Sequence, residues 1–133
     1  MNDDLPEGLT ERLDRLAQLP QNWDGYGAIC ISPQTIERAK SVLREALAAG
    51  GEDMPLPFIA PSPDGGLEFE WTPACGKELM LEIPATGGPL VYLLVEPIIF
   101  QEKGTKTEGT IDDLHTLGEL VIRLLMLPDL PTV

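Results

Sequence analysis

Basic residues are scarce in this 133-residue chain: nine Lys and Arg stand against 22 Asp and Glu, giving a formal net charge of −13. Such a surface repels phosphate backbones, because nucleic-acid binding is driven by Lys and Arg displacing condensed counterions, so direct DNA or RNA binding is disfavoured. Only two cysteines, Cys30 and Cys75, and one histidine, His115, are present. They form no Cys-x-x-Cys spacing, so a thiolate zinc site is short of ligands and two reduced thiols are the simpler account. Long apolar runs are missing too: the stretch from Val121 to Leu127 is broken by Arg123 and closed by Pro128, far short of the roughly 20 residues of a bilayer span. No membrane partner is expected. The opening Met-Asn-Asp-Asp shows no basic stretch ahead of an apolar segment, so no secretory signal is read and a cytoplasmic location is expected. No Gly-x-Gly-x-x-Gly follows a strand pattern and no Walker lysine occurs, so no cofactor is implied.

What is present is enough apolar material for one core. Hydrophobic residues make up 43% of the chain and charged residues 23%, which fits a single globular domain spanning residues 1–133. Leu9, Leu13, Leu16 and Ala17 recur at helical spacing and predict a helix over about 6–18. Ser32-Pro33 reads as an N-cap followed by a first-turn proline, and Ile36, Ala39, Leu43, Ala46 and Leu47 form the stripe of a second helix ended by Gly50-Gly51. The period then changes from 3.6 to 2. Phe58-Ile59-Ala60 between prolines, Leu67 to Trp71, Leu79 to Ile83 and Leu90 to Val95 read as strands, joined by turns at Pro63-Asp64-Gly65-Gly66 and Thr86-Gly87-Gly88. Leu90 to Val95 is apolar on both faces, the mark of a central, covered or interfacial strand. Pro97 and apolar Ile98-Ile99-Phe100 follow, and then residues 101–109 read as a mobile polar loop. Thr110 is expected to cap a last helix, with Asp113 completing a capping-box analogue and Leu114, Leu117, Val121, Leu124 and Leu125 on one face up to Pro128. The expected fold class is α+β, a two-layer sandwich of order α-α-β-β-β-β-α, with an antiparallel four-stranded meander carrying helices on one face.

The acidity is concentrated. Between residues 52 and 102 nine acids face one base, Lys77. Alternation puts Glu68 and Glu70 on the face of their strand opposite Leu67, Phe69 and Trp71, and a hairpin partner brings Glu82 to the same face. Like charges side by side on a sheet cost stability, which supports a basic partner covering them; solubility, which net charge alone supplies, is the other reading.

Asn22-Trp23-Asp24-Gly25-Tyr26-Gly27-Ala28 holds one of two Trp and one of two Tyr within seven residues. It reads as a compact turn with Trp23 and Tyr26 folded back on the core and Asp24 capping loop N–H groups, or as a partner anchor in which the aromatics enter a pocket. This string, followed by Ile31-Ser32-Pro33 and by Pro63-Asp64-Gly65-Gly66-Leu67 running on to Trp71, resembles a family of small, uncharacterised bacterial proteins over roughly residues 13–83. The resemblance implies no activity and carries over no catalytic residue.

The function expected from the residues is a non-enzymatic acidic binding module. Glu68, Glu70 and Glu82 meet a basic protein partner and Trp23, Asp24 and Tyr26 help to anchor it, in the manner of antitoxins or inhibitors that cover a positive cleft, an analogy of size and charge. The alternatives are a self-associating subunit or homodimer, using Leu90 to Val95 and the apolar last helix, and a small enzyme with a carboxylate pair or Cys75, whose thiol the nearby Lys77 would activate. His115 reads as a surface or half-buried histidine, with Asp112 as a potential orienting neighbour, and Asp112-Asp113 as helix-start residues rather than metal ligands.

Overall fold

Helix α1 (Glu7–Ala17) turns its Leu9, Leu13 and Leu16 stripe inward, with Glu7 at its positive end and Arg15 in its last turn, both favourable to the helix dipole. Helix α2 (Pro33–Gly50) starts as expected: the Ser32 hydroxyl accepts the Thr35 N–H at 3.1 Å and Pro33 opens the first turn. Its buried residues include Ile36, Ala39, Leu43 and Ala46, together with Val42, and it ends at Gly51, whose N–H reaches the Leu47 carbonyl. The computed structural model describes residues 5–73, 76–97 and 104–126. Ile98-Ile99-Phe100, Cys75 and the segment beyond Met126, including Pro128, lie outside these residues.

The sheet has five strands rather than the four expected: β1 (Phe58–Pro61), β2 (Leu67–Trp71), β3 (Glu78–Ile83), β4 (Leu90–Glu96) and β5 (Thr105–Ile111), in spatial order β1-β2-β3-β4-β5. All neighbours are antiparallel, so the α+β class and the meander hold while the order becomes α-α-β-β-β-β-β-α. The extra strand comes from the segment expected to be a loop. Residues 101–103 lie outside the described residues, but Thr105 to Gly109 pair with Glu96 to Tyr92 and extend the sheet. Gly109 sits opposite Tyr92, whose ring covers it: a Cβ there would meet the ring at 3.1 Å. An aromatic neighbour supplies the packing surface that glycine lacks in a strand.

The expected N-cap of the last helix moves for the same reason. Thr110 belongs to β5, and Asp113 caps helix α3 (Leu114–Leu125), accepting the Thr116 N–H at 2.8 Å and its hydroxyl at 3.2 Å. Leu117, Leu120, Val121 and Leu124 are the buried positions of α3, whereas Leu114 is exposed.

One alternation set of the strands is buried and forms the core with the helices: Leu67, Phe69 and Trp71 on β2, Leu79, Leu81 and Ile83 on β3, Leu90 and Leu94 on β4. Phe69 and Trp71 meet edge to face with ring centroids 5.8 Å apart, a geometry worth roughly 0.5–1.5 kcal/mol beyond the area buried. The opposite set is left uncovered by any described element.

Candidate functional site

That uncovered face is where the sequence places its acids. The β2–β3 register sets Glu68 directly opposite Glu82 and Glu70 opposite Met80. The β3–β4 and β4–β5 registers extend both rows: Glu82 is followed by Val91 and Thr110, and Met80 by Leu93 and Glu108. Glu78 begins a third row with Val95 and Lys106. The face therefore alternates carboxylates with apolar side chains, and Val91 and Phe58 are exposed on it at 43% and 65%. Glu68, Met80, Glu82, Val91, Leu93 and Glu108 line a depression of about 120 Å³ across its middle. Opposed glutamates on adjacent strands repel, by roughly 0.2–1 kcal/mol for a directly facing pair.

The loop of residues 22–28 is held by its own side chains. Asp24 Oδ1 accepts the N–H groups of Tyr26 at 2.8 Å and Ala28 at 3.1 Å, Asn22 Oδ1 accepts Gly27 N–H at 2.6 Å, and the Asn22 N–H reaches the Ala28 carbonyl at 2.6 Å. Asn22, Gly25 and Gly27 take left-handed φ of 62°, 79° and 87°, conformations that Asn and Gly adopt at least cost. The two aromatics part company, correcting the expectation that both fold back on the core. Trp23 is half-buried and its indole N–H donates to the Ile29 carbonyl at 3.3 Å, whereas Tyr26 is 93% exposed. The Ile29 N–H donates to the Pro63 carbonyl at 2.8 Å, which fixes the loop against the β1–β2 turn. Glu68 and Glu82 lie beside the β1–β2 and β3–β4 turns, so loop and glutamate pair occupy the same end of the sheet.

At the other end sits a cluster that sequence reading missed. Lys77, expected in the hairpin loop near Cys75, is buried, with its ammonium 3.3 Å from Glu96 and donating to the Arg123 carbonyl at 2.7 Å. The Arg123 guanidinium also bonds Glu96. Burial raises the Glu96 pKa, but the hydrogen bonds and charges of Arg123 and Lys77 outweigh it and hold the carboxyl below its ordinary value. These groups tie β3, β4 and α3 together. Its only sequence signal was a lone base amid acids.

His115 is exposed on α3 and pairs with Glu119 at 3.2 Å, not with Asp112. A cavity of about 240 Å³ between α2, β4 and the start of α3 is lined by Arg38, Ser41, Val42, Leu90, Ile111 and Asp112 among others, and neither His115 nor the face glutamates reach it. Glu68 and Glu82 meet on an open sheet face rather than in a cleft. Among the described residues no group of three or more His, Cys, Asp or Glu could hold a metal ion, and no helix is long and apolar enough to cross a membrane. Comparison with known proteins finds no matching family model, curated protein or solved structure.

Proposed function

We propose that this chain is a cytoplasmic, non-enzymatic binding module whose uncovered sheet face docks a basic protein partner. The observation that supports it is the Glu68–Glu82 pair, set face to face across β2 and β3 with Glu70 beside it and with Met80, Val91 and Leu93 interleaved. Carboxylates next to half-exposed apolar groups suit a partner that brings Lys or Arg together with hydrophobic anchors, since charge complementarity sets on-rate and register while the apolar contacts hold the complex. Tyr26, carried on a loop stiffened by Asp24 and half-buried Trp23, adds a rigid aromatic anchor at the same end of the sheet. Covering a partner's positive cleft in the way of an antitoxin or inhibitor is the regulation such a face would give.

The test is gentle affinity purification from the native host, followed by binding of the stoichiometric partner to wild type and to a Glu68→Gln/Glu70→Gln/Glu82→Gln variant. The triple variant is expected to lose on the order of tenfold or more in affinity, and its dependence on salt is expected to flatten. Unchanged affinity and salt dependence would sink the reading.

A further inference from the structure

The two edges of the sheet are built differently. Strand β1 is four residues long, is preceded by Pro57 and ends in Pro61, and the Arg12 guanidinium of α1 donates to its Ile59 carbonyl at 3.1 Å. Prolines, shortness and a capped carbonyl are ways of closing an edge to further pairing. Among the described residues strand β5 has none of these three: it is seven residues long, contains no proline, and no described element pairs with its free side.

Its charges are self-complementary. Lys106 and Glu108 both project from the uncovered face, both are exposed, and neither has an ion-pair partner among the described residues. Thr107 lies between them on the other face. In an antiparallel two-fold pairing that keeps the two faces of the sheet distinct, only residues of the same face stand opposite each other. A two-fold axis at Thr107 sets Lys106 opposite the partner's Glu108 twice over and Thr107 opposite its own copy. An axis at Lys106 or at Glu108 instead opposes like charges, which is destabilising.

Helix α3 packs on α2 and follows β5, so it is the outermost helix on this side. It leaves Leu114, Ile122 and Met126 exposed at 42%, 54% and 59%. Leu114 lines the cavity beside α2, and Gly118, one turn on, faces Ala49 and Glu45 of α2, so this stripe looks toward α2 rather than across the β5 edge, and the pairing rests on β5 itself.

We infer that the partner of the β5 edge is a second copy of this chain, joined β5 to β5 about Thr107 into a continuous ten-stranded sheet. The axis runs through the sheet from face to face, so both acidic faces lie on the same side and the dimer presents one doubled docking surface. The inference does not depend on what binds that surface.

The experiment is sedimentation velocity of the full chain over a wide concentration range, on wild type, Lys106→Glu, Glu108→Lys and the double variant Lys106→Glu/Glu108→Lys, with far-ultraviolet circular dichroism confirming the fold of each. Wild type is expected to show a concentration-dependent dimer. Each single variant, which opposes like charges, is expected to weaken it by at least about tenfold, and the double variant, which swaps the ion pairs, to return to within about threefold of wild type. A wild-type monomer at the highest soluble concentration, a dimer indifferent to the single variants, or a double variant as weak as the singles would each overturn the proposal.

Discussion

The Lys77 ammonium lies 3.3 Å from the Glu96 carboxylate, both largely withdrawn from solvent, and this pair joins the start of β3 to the end of β4 beneath the last turn of α3. A lysine pointed inward beside one glutamate is stable only because the Arg123 carbonyl accepts a further hydrogen bond from the Lys77 ammonium and the Arg123 guanidinium shares the carboxylate.

Replacing Lys77 with Met removes the buried cation but leaves Glu96 partly desolvated with Arg123 alone. Breaking one side of such a pair is expected to cost about 3 kcal/mol. Urea denaturation read by circular dichroism checks it, and a loss under about 0.5 kcal/mol would show that the cluster is an ornament of the surface rather than a tie.

Acid should loosen the same tie and the α3 cap. The carboxyls of Glu96 and Asp113 are both held below their ordinary values, Asp113 chiefly by the Thr116 N–H and hydroxyl. A lowered folded pKa means that the unfolded chain binds more protons in that range, so the stabilisation is complete above the ordinary carboxylate pKa and is lost as pH falls through the depressed values. Urea midpoints measured from neutral pH downward are expected to fall below about pH 4.5. A Glu96→Gln variant is expected to show a shallower fall, and an equal slope in both proteins would contradict the assignment.

The acidic face predicts a substitution that stabilises the isolated protein. Glu82→Gln keeps the shape and removes the charge opposite Glu68, and is expected to raise stability by roughly 0.2–1 kcal/mol. A lower denaturation midpoint would mean that the pair carries no repulsion. A gain in stability with a loss of partner binding from the same change would mark a face kept for contact at the expense of the fold.

Loop and anchor should separate cleanly. Asp24→Ala removes the acceptor of the Tyr26 and Ala28 N–H groups and is expected to cost about 1 kcal/mol, with faster amide exchange at residues 26–28. Tyr26→Ala, at a side chain 93% exposed, is expected to stay within about 0.5 kcal/mol of wild type. Its effect on partner affinity therefore reads the contact alone.

Much of the fold was legible because the signal was periodic. Leu9, Leu13 and Leu16 at helical spacing, Ser32-Pro33 at a helix start, and the alternation Leu67-Glu68-Phe69-Glu70-Trp71 each admit one amphipathic reading, and the structure realises all three. Strand β5 escaped since only Ile111 of its seven residues is buried, leaving no apolar alternation to find. The β-branched Thr105, Thr107 and Thr110 were the available cue. Missing it also displaced the α3 cap from Asp113 to Thr110.

Local chemistry by itself determined which faces are apolar, where α1 and α2 lie, that Asp24 would cap its own loop, and that Glu68, Glu70 and Glu82 would share a face, because each follows from spacing within one or two elements. Tertiary structure alone decided that Trp23 is half-buried while Tyr26 is exposed, that Lys77 belongs to Glu96 rather than to the loop before it, and that Thr105–Ile111 is an edge strand of the sheet. Those outcomes depend on which residues distant in sequence arrive side by side, and that is set by the packing of the whole sheet against its helices and by no short stretch of the chain.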